Sequence, residues 1–222
     1  MSVVIAVDGT AASGKGTLAK RLARHFNFAH MDSGALYRLT ALAVTLAGGD
    51  PANPADALKG ARSIDLAMAG DPQIRTDRIG QAASKVAAIP DVRKALHQFQ
   101  SDFLARPPGG SLGAVMDGRD IGTVICPNAT AKLFIDAVPE IRARRRLMEL
   151  KGLGIEREEA GLLAELNARD AADRARPISP LKQAPDAFLL DTSQLDIERA
   201  FMAALSLVQS RVEDALKVRH RG

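Results

Sequence analysis

The stretch GTAASGKGT, Gly9 to Thr17, combines two spaced glycines, a lysine and a threonine in an arrangement suited to holding phosphate. Gly9 and Gly14 let the backbone curl, so that the N–H groups of Thr10, Ala11, Ala12, Ser13 and Gly14 can converge on phosphate oxygens. A helix starting at Gly16 would add the positive end of its dipole. Lys15 is placed to reach β- and γ-phosphates, and Thr17 is expected to supply the hydroxyl on the Mg²⁺ side. Gly16 stands where such loops commonly carry Ser or Thr. The bland alternative, a glycine-rich turn that binds nothing, leaves the lysine unexplained. GxGxxG is absent after the first strand, which argues against a dinucleotide site, and no Asn-Lys dipeptide is present to read guanine.

Other residues could join phosphate chemistry. Arg142, Arg144, Arg145 and Arg146 fall in one run before KGLG, a pattern that reads as a mobile lid. A helix cannot aim all four inward, so at least one of them, with Arg145 carried forward, is expected to reach ATP, and for each a solvated helix face is the alternative. Arg169, Asp173 and Arg176 stand at i, i+4 and i+7, which would share a helix face; a ladder of ion pairs worth about 0.3–0.5 kcal/mol each is the plain alternative. Asp8 reads as a cap of the first turn, and Asp136 as less suited to metal than Asp117. His25, His30, His97 and His220 have no metal-ligand spacing, and Cys126 reads as a packed or loop thiol.

The elements needed to position these groups are legible from periodicity. Val3 to Val7 is a continuous apolar run, the mark of a parallel strand buried on both faces. Leu18, Leu22 and Phe26 predict a helix to about His25. FAHMDSG predicts a second strand, and Leu36 to Leu46 a helix. SLGAVMDGRD, AKLFIDA and AFLLDTS predict further strands. Between them fall helices at about 90–105, 139–148, 156–175 and 197–218. Strands alternating with helices mean an α/β fold with a parallel sheet. The stretch from Gly48 to about Pro90 is weakly patterned and reads as an insertion, with SIDLAMAG its one strand-like segment.

At 222 residues, 46% apolar and 25% charged, the chain fits one globular domain with an aliphatic core. A lone cysteine and the absence of a signal sequence or membrane-length apolar run point to the cytoplasm. The net charge of +4 and pI of about 9.5 suit a nucleic-acid binder or an enzyme of polyanionic substrates. Residues 139–176 lack the aromatics that single-strand binders interleave with cations, which disfavours nucleic acid.

MDSGALYR (31–38), AASKVAAIPDVR (82–93), DGRDIGT (117–123) and RDAADRAR (169–176), together with the GKGT loop, resemble bacterial cytidylate kinases. The resemblance implies a P-loop NTPase fold over residues 1–222, with an acceptor-binding insertion at about 33–98 and a short lid at about 140–158. It implies transfer of a phosphoryl group from ATP to CMP or dCMP, with Mg²⁺, by a monomer that needs no membrane or nucleic acid. Lys15, Arg119, Arg169 and Arg176 would be catalytic, and Gly9 to Thr17 with Arg145 would hold ATP. Ser33, Tyr37, Arg38 and Arg119 would hold the acceptor's phosphate and sugar. Ser84, Arg93 and Asp120 would read cytosine, and Asp173, with Arg176, would lie near the ribose. Thr17 and Asp117 would serve the metal. For Tyr37, simple packing is an equal alternative. The insertion is shorter than in the family's longer members. Rivals are a P-loop kinase of another acceptor, such as shikimate or dephospho-coenzyme A, and an RNA-binding P-loop ATPase.

Overall fold

The computed structural model describes residues 2–220. They fall into two compact units, one comprising the chain up to Met31 and from Arg106 onward, the other Asp32–Ala105.

The first unit is an α/β fold. Strand β1 (Val3–Gly9) is buried along its whole length, as its unbroken apolar run requires. It lies at the centre of a five-stranded sheet with β2 (Ala29–Asp32), β3 (Gly113–Gly118), β4 (Ala131–Asp136) and β5 (Phe188–Asp191), in the order β2-β3-β1-β4-β5. The pairs β1–β3, β1–β4 and β4–β5 are parallel, with Asp8 opposite Gly118, Gly9 opposite Ile135, and Asp136 opposite Asp191. Val3, Ile5 and Val7 point one way, into an apolar cluster with Leu18 and Leu22 of α1 (Lys15–Phe26) and Ala204, Val208 and Val212 of α8 (Ile197–His220). The strand's period of two therefore sends Asp8 to the opposite face.

Helices α6 (Pro139–Gly152) and α7 (Glu159–Arg174) pack on each other through Ala143, Leu150, Leu162 and Leu166, a cluster that also takes in Ala11. The parallel α/β architecture expected from the sequence is thus present. Helix α6 runs four residues past its expected end before Leu153 caps it.

Within the described residues the second unit is helical: α2 (Ser33–Leu46), α3 (Pro54–Arg62), α4 (Asp77–Ala87) and α5 (Pro90–Ala105). Asp32 caps α2 by accepting from the Ala35 N–H, which starts the helix at Ser33 rather than Leu36. SIDLAMAG forms no strand. Asp65 accepts from the Ala67 N–H and draws Leu66–Gly70 into a 3₁₀ turn, a local bond that competes with sheet pairing. Gly60 lets α3 approach α2 closely, since a Cβ there would stand 2.5 Å from Val44 Cγ2.

Gly9 closes β1 at φ +152°, and a Cβ there would lie 2.0 Å from the Ile135 carbonyl oxygen of β4. That oxygen also accepts from the Thr10 N–H, so neither strand can yield without losing pairing. Gly9→Ala is expected to destabilise the chain by about 2–4 kcal/mol, read as a lower urea midpoint; a midpoint equal to the parent's would refute the close approach.

Candidate active site

Four of the five strands bring their last residues to one edge of the sheet, where the loop from Gly9 to Thr17 leaves β1. The backbone N–H groups of Ala11, Ala12, Ser13 and Gly14 have no acceptor among the described residues, although Ala11 and Ser13 are buried. Buried donors of this kind call for an anionic acceptor. The carbonyls of Thr10, Ala11 and Ser13 in the same loop are occupied. Thr10 O accepts from Ser13 Oγ and Lys15 Nζ, at 3.0 and 3.4 Å. Ser13 O accepts from Thr192 Oγ1 at 2.9 Å, and Ala11 O from Arg142 at 3.1 Å. Gly14, at φ +91°, turns the chain into α1.

Asp117, buried at the end of β3, stands beside this loop: its Oδ2 would be 3.5 Å from a Cβ on Gly16. Its Oδ1 is hydrogen-bonded to His30 Nε2 at 2.9 Å, a partner that spacing alone did not reveal. Thr17 sits exposed in the first turn of α1. Among the described residues no three His, Cys, Asp or Glu side chains converge as a metal cage. A hard cation with one carboxylate and one hydroxyl from the protein must therefore take its remaining oxygens from phosphate and water, as Mg²⁺ does. Asp136 is committed elsewhere: its Oδ1 accepts from Thr10 Oγ1 at 2.7 Å and from the Ala137 N–H at 2.9 Å.

Asp8 does not cap its own turn. Its carboxylate accepts from the N–H groups of Ile121 (2.8 Å) and Gly122 (2.7 Å), pinning the segment that follows Arg119 and Asp120. Burial pushes its pKa up to about 7, against the lowering effect of those two N–H groups. Asp173 differs. Burial would raise its pKa, yet Arg119 and Arg176 outweigh burial and hold it below the ordinary carboxylate range. Arg119 Nε donates to Asp173 Oδ2 at 2.8 Å, and Arg176 pairs with Oδ1. The structure thus brings Arg119 and Arg176 together around the buried Asp173 carboxylate, with the positive charge of Arg169 also acting on Asp173.

The four arginines of α6 go four ways. Arg142 turns inward, Arg144 pairs with Glu159 at the surface, and Arg146 pairs with Glu149. Arg145 donates to Thr192 Oγ1 at 3.0 Å and to Thr192 O at 2.6 Å, alongside a longer contact to Ser13 O. Thr192, not singled out by the sequence, and Arg142, one of the four clustered arginines, are therefore the loop's neighbours.

In the Asp32–Ala105 unit, Ser33 is buried at the start of α2. The Arg93 guanidinium lies 5.5 Å from the centroid of the Tyr37 ring and donates to Ala87 O at 3.3 Å. Arg38 donates to Ile74 O at 2.7 Å, and Ser84 Oγ to Gly80 O at 3.2 Å. Tyr37 is half-buried against Arg93, so its ring has a partner within the unit.

A parallel sheet whose central strand opens into a lysine-bearing loop of inward N–H donors defines a P-loop fold. Similarity to solved structures agrees on architecture. An uncharacterized protein from Eubacterium ventriosum superposes with a TM-score of 0.55 at 15% identity, covering 94% of this chain and 99% of that one. A gluconokinase from Sinorhizobium meliloti superposes at 0.50 and 14%, covering 97% and 96%. Sequence similarity is far higher among curated proteins. The chain is 51% identical over 208 residues to a cytidylate kinase of Bradyrhizobium diazoefficiens and 52% identical over 208 residues to that of Nitrobacter winogradskyi, each match covering 94% of this chain and 96% of the relative. The family model described as cytidylate kinase matches residues 5–210. The chain belongs to the cytidylate kinase family.

The raised pKa of Asp8 sets a pH dependence. Below about pH 4 this carboxyl is protonated in folded and unfolded chains alike; between about 4 and 7 the folded chain holds the proton more tightly; above 7 it must bury a charge. Its contribution to stability is therefore full at acid pH and lost as pH rises to about 7. The drop in urea midpoint between about pH 5.5 and 8 should be larger for the parent than for Asp8→Asn, and equal drops would contradict this assignment.

Proposed function

We propose that this chain transfers the γ-phosphoryl group of ATP to CMP and dCMP. The observation that carries the reading is the set of N–H donors from Ala11 to Gly14 that have no acceptor among the described residues, beside Lys15 and Asp117, in a chain of the cytidylate kinase family. No helix among the described residues is long and apolar enough to cross a membrane.

In the proposed reaction an anionic phosphate oxygen of CMP bonds to the γ-phosphorus as the bond to the β-bridging oxygen breaks. ADP leaves with that electron pair. The nucleophile is already ionised, so no general base is required, and positioning plus charge neutralisation provide the rate. Gly9 to Thr17 cradle the phosphates, Lys15 bridges the β- and γ-groups, and Arg145 lies on the ATP side. Thr17 and Asp117, a hydroxyl and a carboxylate, fit Mg²⁺, which would neutralise charge between the β- and γ-oxygens. Arg119, Arg169 and Arg176 neutralise charge on the transferring group, with Asp173 orienting two of them and meeting the acceptor ribose. Ser33, Tyr37 and Arg38 hold the acceptor's phosphate and sugar. Cytosine offers an amino donor at N4 beside acceptors at N3 and O2. Asp120 would accept from N4 while Arg93 and Ser84 donate, so uracil, with a carbonyl there, would meet the carboxylate unfavourably.

The test is ADP production from ATP and Mg²⁺ with CMP, dCMP, UMP, AMP, GMP and shikimate offered separately. CMP and dCMP should turn over fastest; turnover confined to AMP, GMP or shikimate would overturn the acceptor, and none at all would overturn the reaction. Lys15→Ala should lower kcat by about 10²-fold or more in a folded protein. Asp120→Ala should raise KM for CMP by about tenfold or more and leave that for ATP within about twofold; an unchanged CMP constant would remove Asp120 from the base pocket.

A further inference from the structure

The phosphate loop is held from its outer side by a residue that cannot itself touch a nucleotide. Arg142 of α6 is 2% exposed, and its guanidinium is fully committed. Nε donates to Ala137 O at 2.8 Å and NH1 to Ala11 O at 3.1 Å, while NH2 lies 2.7 Å from Asp170 Oδ2 on α7. Asp170 is as buried as its partner. The contact between them is an ion pair rather than a well-aligned hydrogen bond.

The direction of one peptide gives this pair its consequence. A trans peptide is planar, with C=O and N–H pointing opposite ways. With Ala11 O drawn towards Arg142, the N–H of Ala12 must point away from α6, and it finds no acceptor among the described residues. Ala12 itself holds φ +57°, a conformation that a residue with a Cβ rarely adopts unaided. The Ala11 side chain is gripped as well, in the apolar cluster between α6 and α7. Loop and helices together thus determine which side of this peptide faces a phosphate.

We propose that Arg142, with Asp170 as its counter-ion, is a positioning residue for ATP: it keeps the Ala11–Ala12 peptide turned so that the Ala12 N–H faces the phosphates. This rests on the reading of Gly9 to Thr17 as the ATP-phosphate loop. A pair with a structural role alone would be replaceable. Buried ion pairs exchanged for apolar side chains of similar volume often leave stability unchanged, but an apolar pair cannot donate to the Ala11 carbonyl.

The experiment uses the full chain carrying Arg142→Met with Asp170→Leu, and separately Arg142→Lys. The readouts are thermal melting, calorimetric binding of ATP with Mg²⁺, and initial rates with CMP. The double variant should melt near the parent and keep its KM for CMP within about twofold, while its Kd for ATP rises about tenfold or more. Arg142→Lys, which keeps the charge pair but loses the fixed fork, should fall between the two. A folded double variant with ATP affinity and kcat/KM for ATP within about twofold of the parent would overturn the proposal. If the double variant does not fold, Arg142→Lys decides: weakened ATP binding at a parental melting temperature supports positioning, and parental ATP binding at a lowered one refutes it. A parent that binds ATP but does not phosphorylate CMP would overturn the acceptor assignment and leave this inference standing on the ATP arm.

Discussion

A loop that binds phosphate through its backbone must keep its N–H groups clear of protein acceptors while giving every carbonyl somewhere else to go. Each peptide between Thr10 and Gly14 carries both groups, and it cannot leave either one buried and unmatched without a cost of about 1–3 kcal/mol. Here three of the carbonyls are matched, Thr10 O by Ser13 Oγ and Lys15 Nζ, Ala11 O by Arg142, and Ser13 O by Thr192. The donors then have one direction left to them. Most of what surrounds the loop follows from this demand: α6 must bring an arginine to its outer side, and the turn after β5 must bring a hydroxyl.

The same edge of the sheet concentrates acid. Asp8, Asp117, Asp120, Asp170 and Asp173 are all buried in this unit, close to where a polyanion would bind. Buried carboxylates near phosphate are tolerable only if each finds hydrogen-bond or charge partners, and the solutions differ. Asp8 takes two backbone N–H groups and still titrates near neutrality. Asp117 takes His30, Asp170 takes Arg142, and Asp173 takes Arg119 and Arg176 together. Its two arginines hold Asp173 below the ordinary carboxylate range.

This contrast explains what the sequence could and could not reveal. Strands β1, β3 and β4 and helices α1 and α8 were legible because burial on both faces, or on one stripe, leaves a local period. The loop was legible because its glycines have conformational tasks visible at short range. SIDLAMAG looked strand-like because its apolar content was counted, whereas its shape was decided by the Asp65 carboxylate capturing a nearby N–H. Asp8 meets its donors at positions 121 and 122, and His30 meets Asp117, so no local pattern could have joined them. Which of four clustered arginines turns inward depends on where α7 lies, and spacing along α6 contains nothing about α7.

Helix α7 carries two such dependences on one face. Asp170 and Asp173, three residues apart and so neighbours on the helix surface, compensate Arg142 and Arg119 respectively. The first arginine shapes the nucleotide loop, and the second belongs to the segment that Asp8 pins beside it. An arginine held by a protein carboxylate gives up part of its charge to that partner, which weakens its attraction for a phosphate in the ground state. In exchange its guanidinium is already oriented, so no reorganisation is needed when charge develops on a transferring group. Arg119 and Arg176 share a single Asp173, which leaves that trio with a net positive charge as well as a fixed orientation. Placement of cations and shape of the phosphate loop therefore depend on the packing of the same helix.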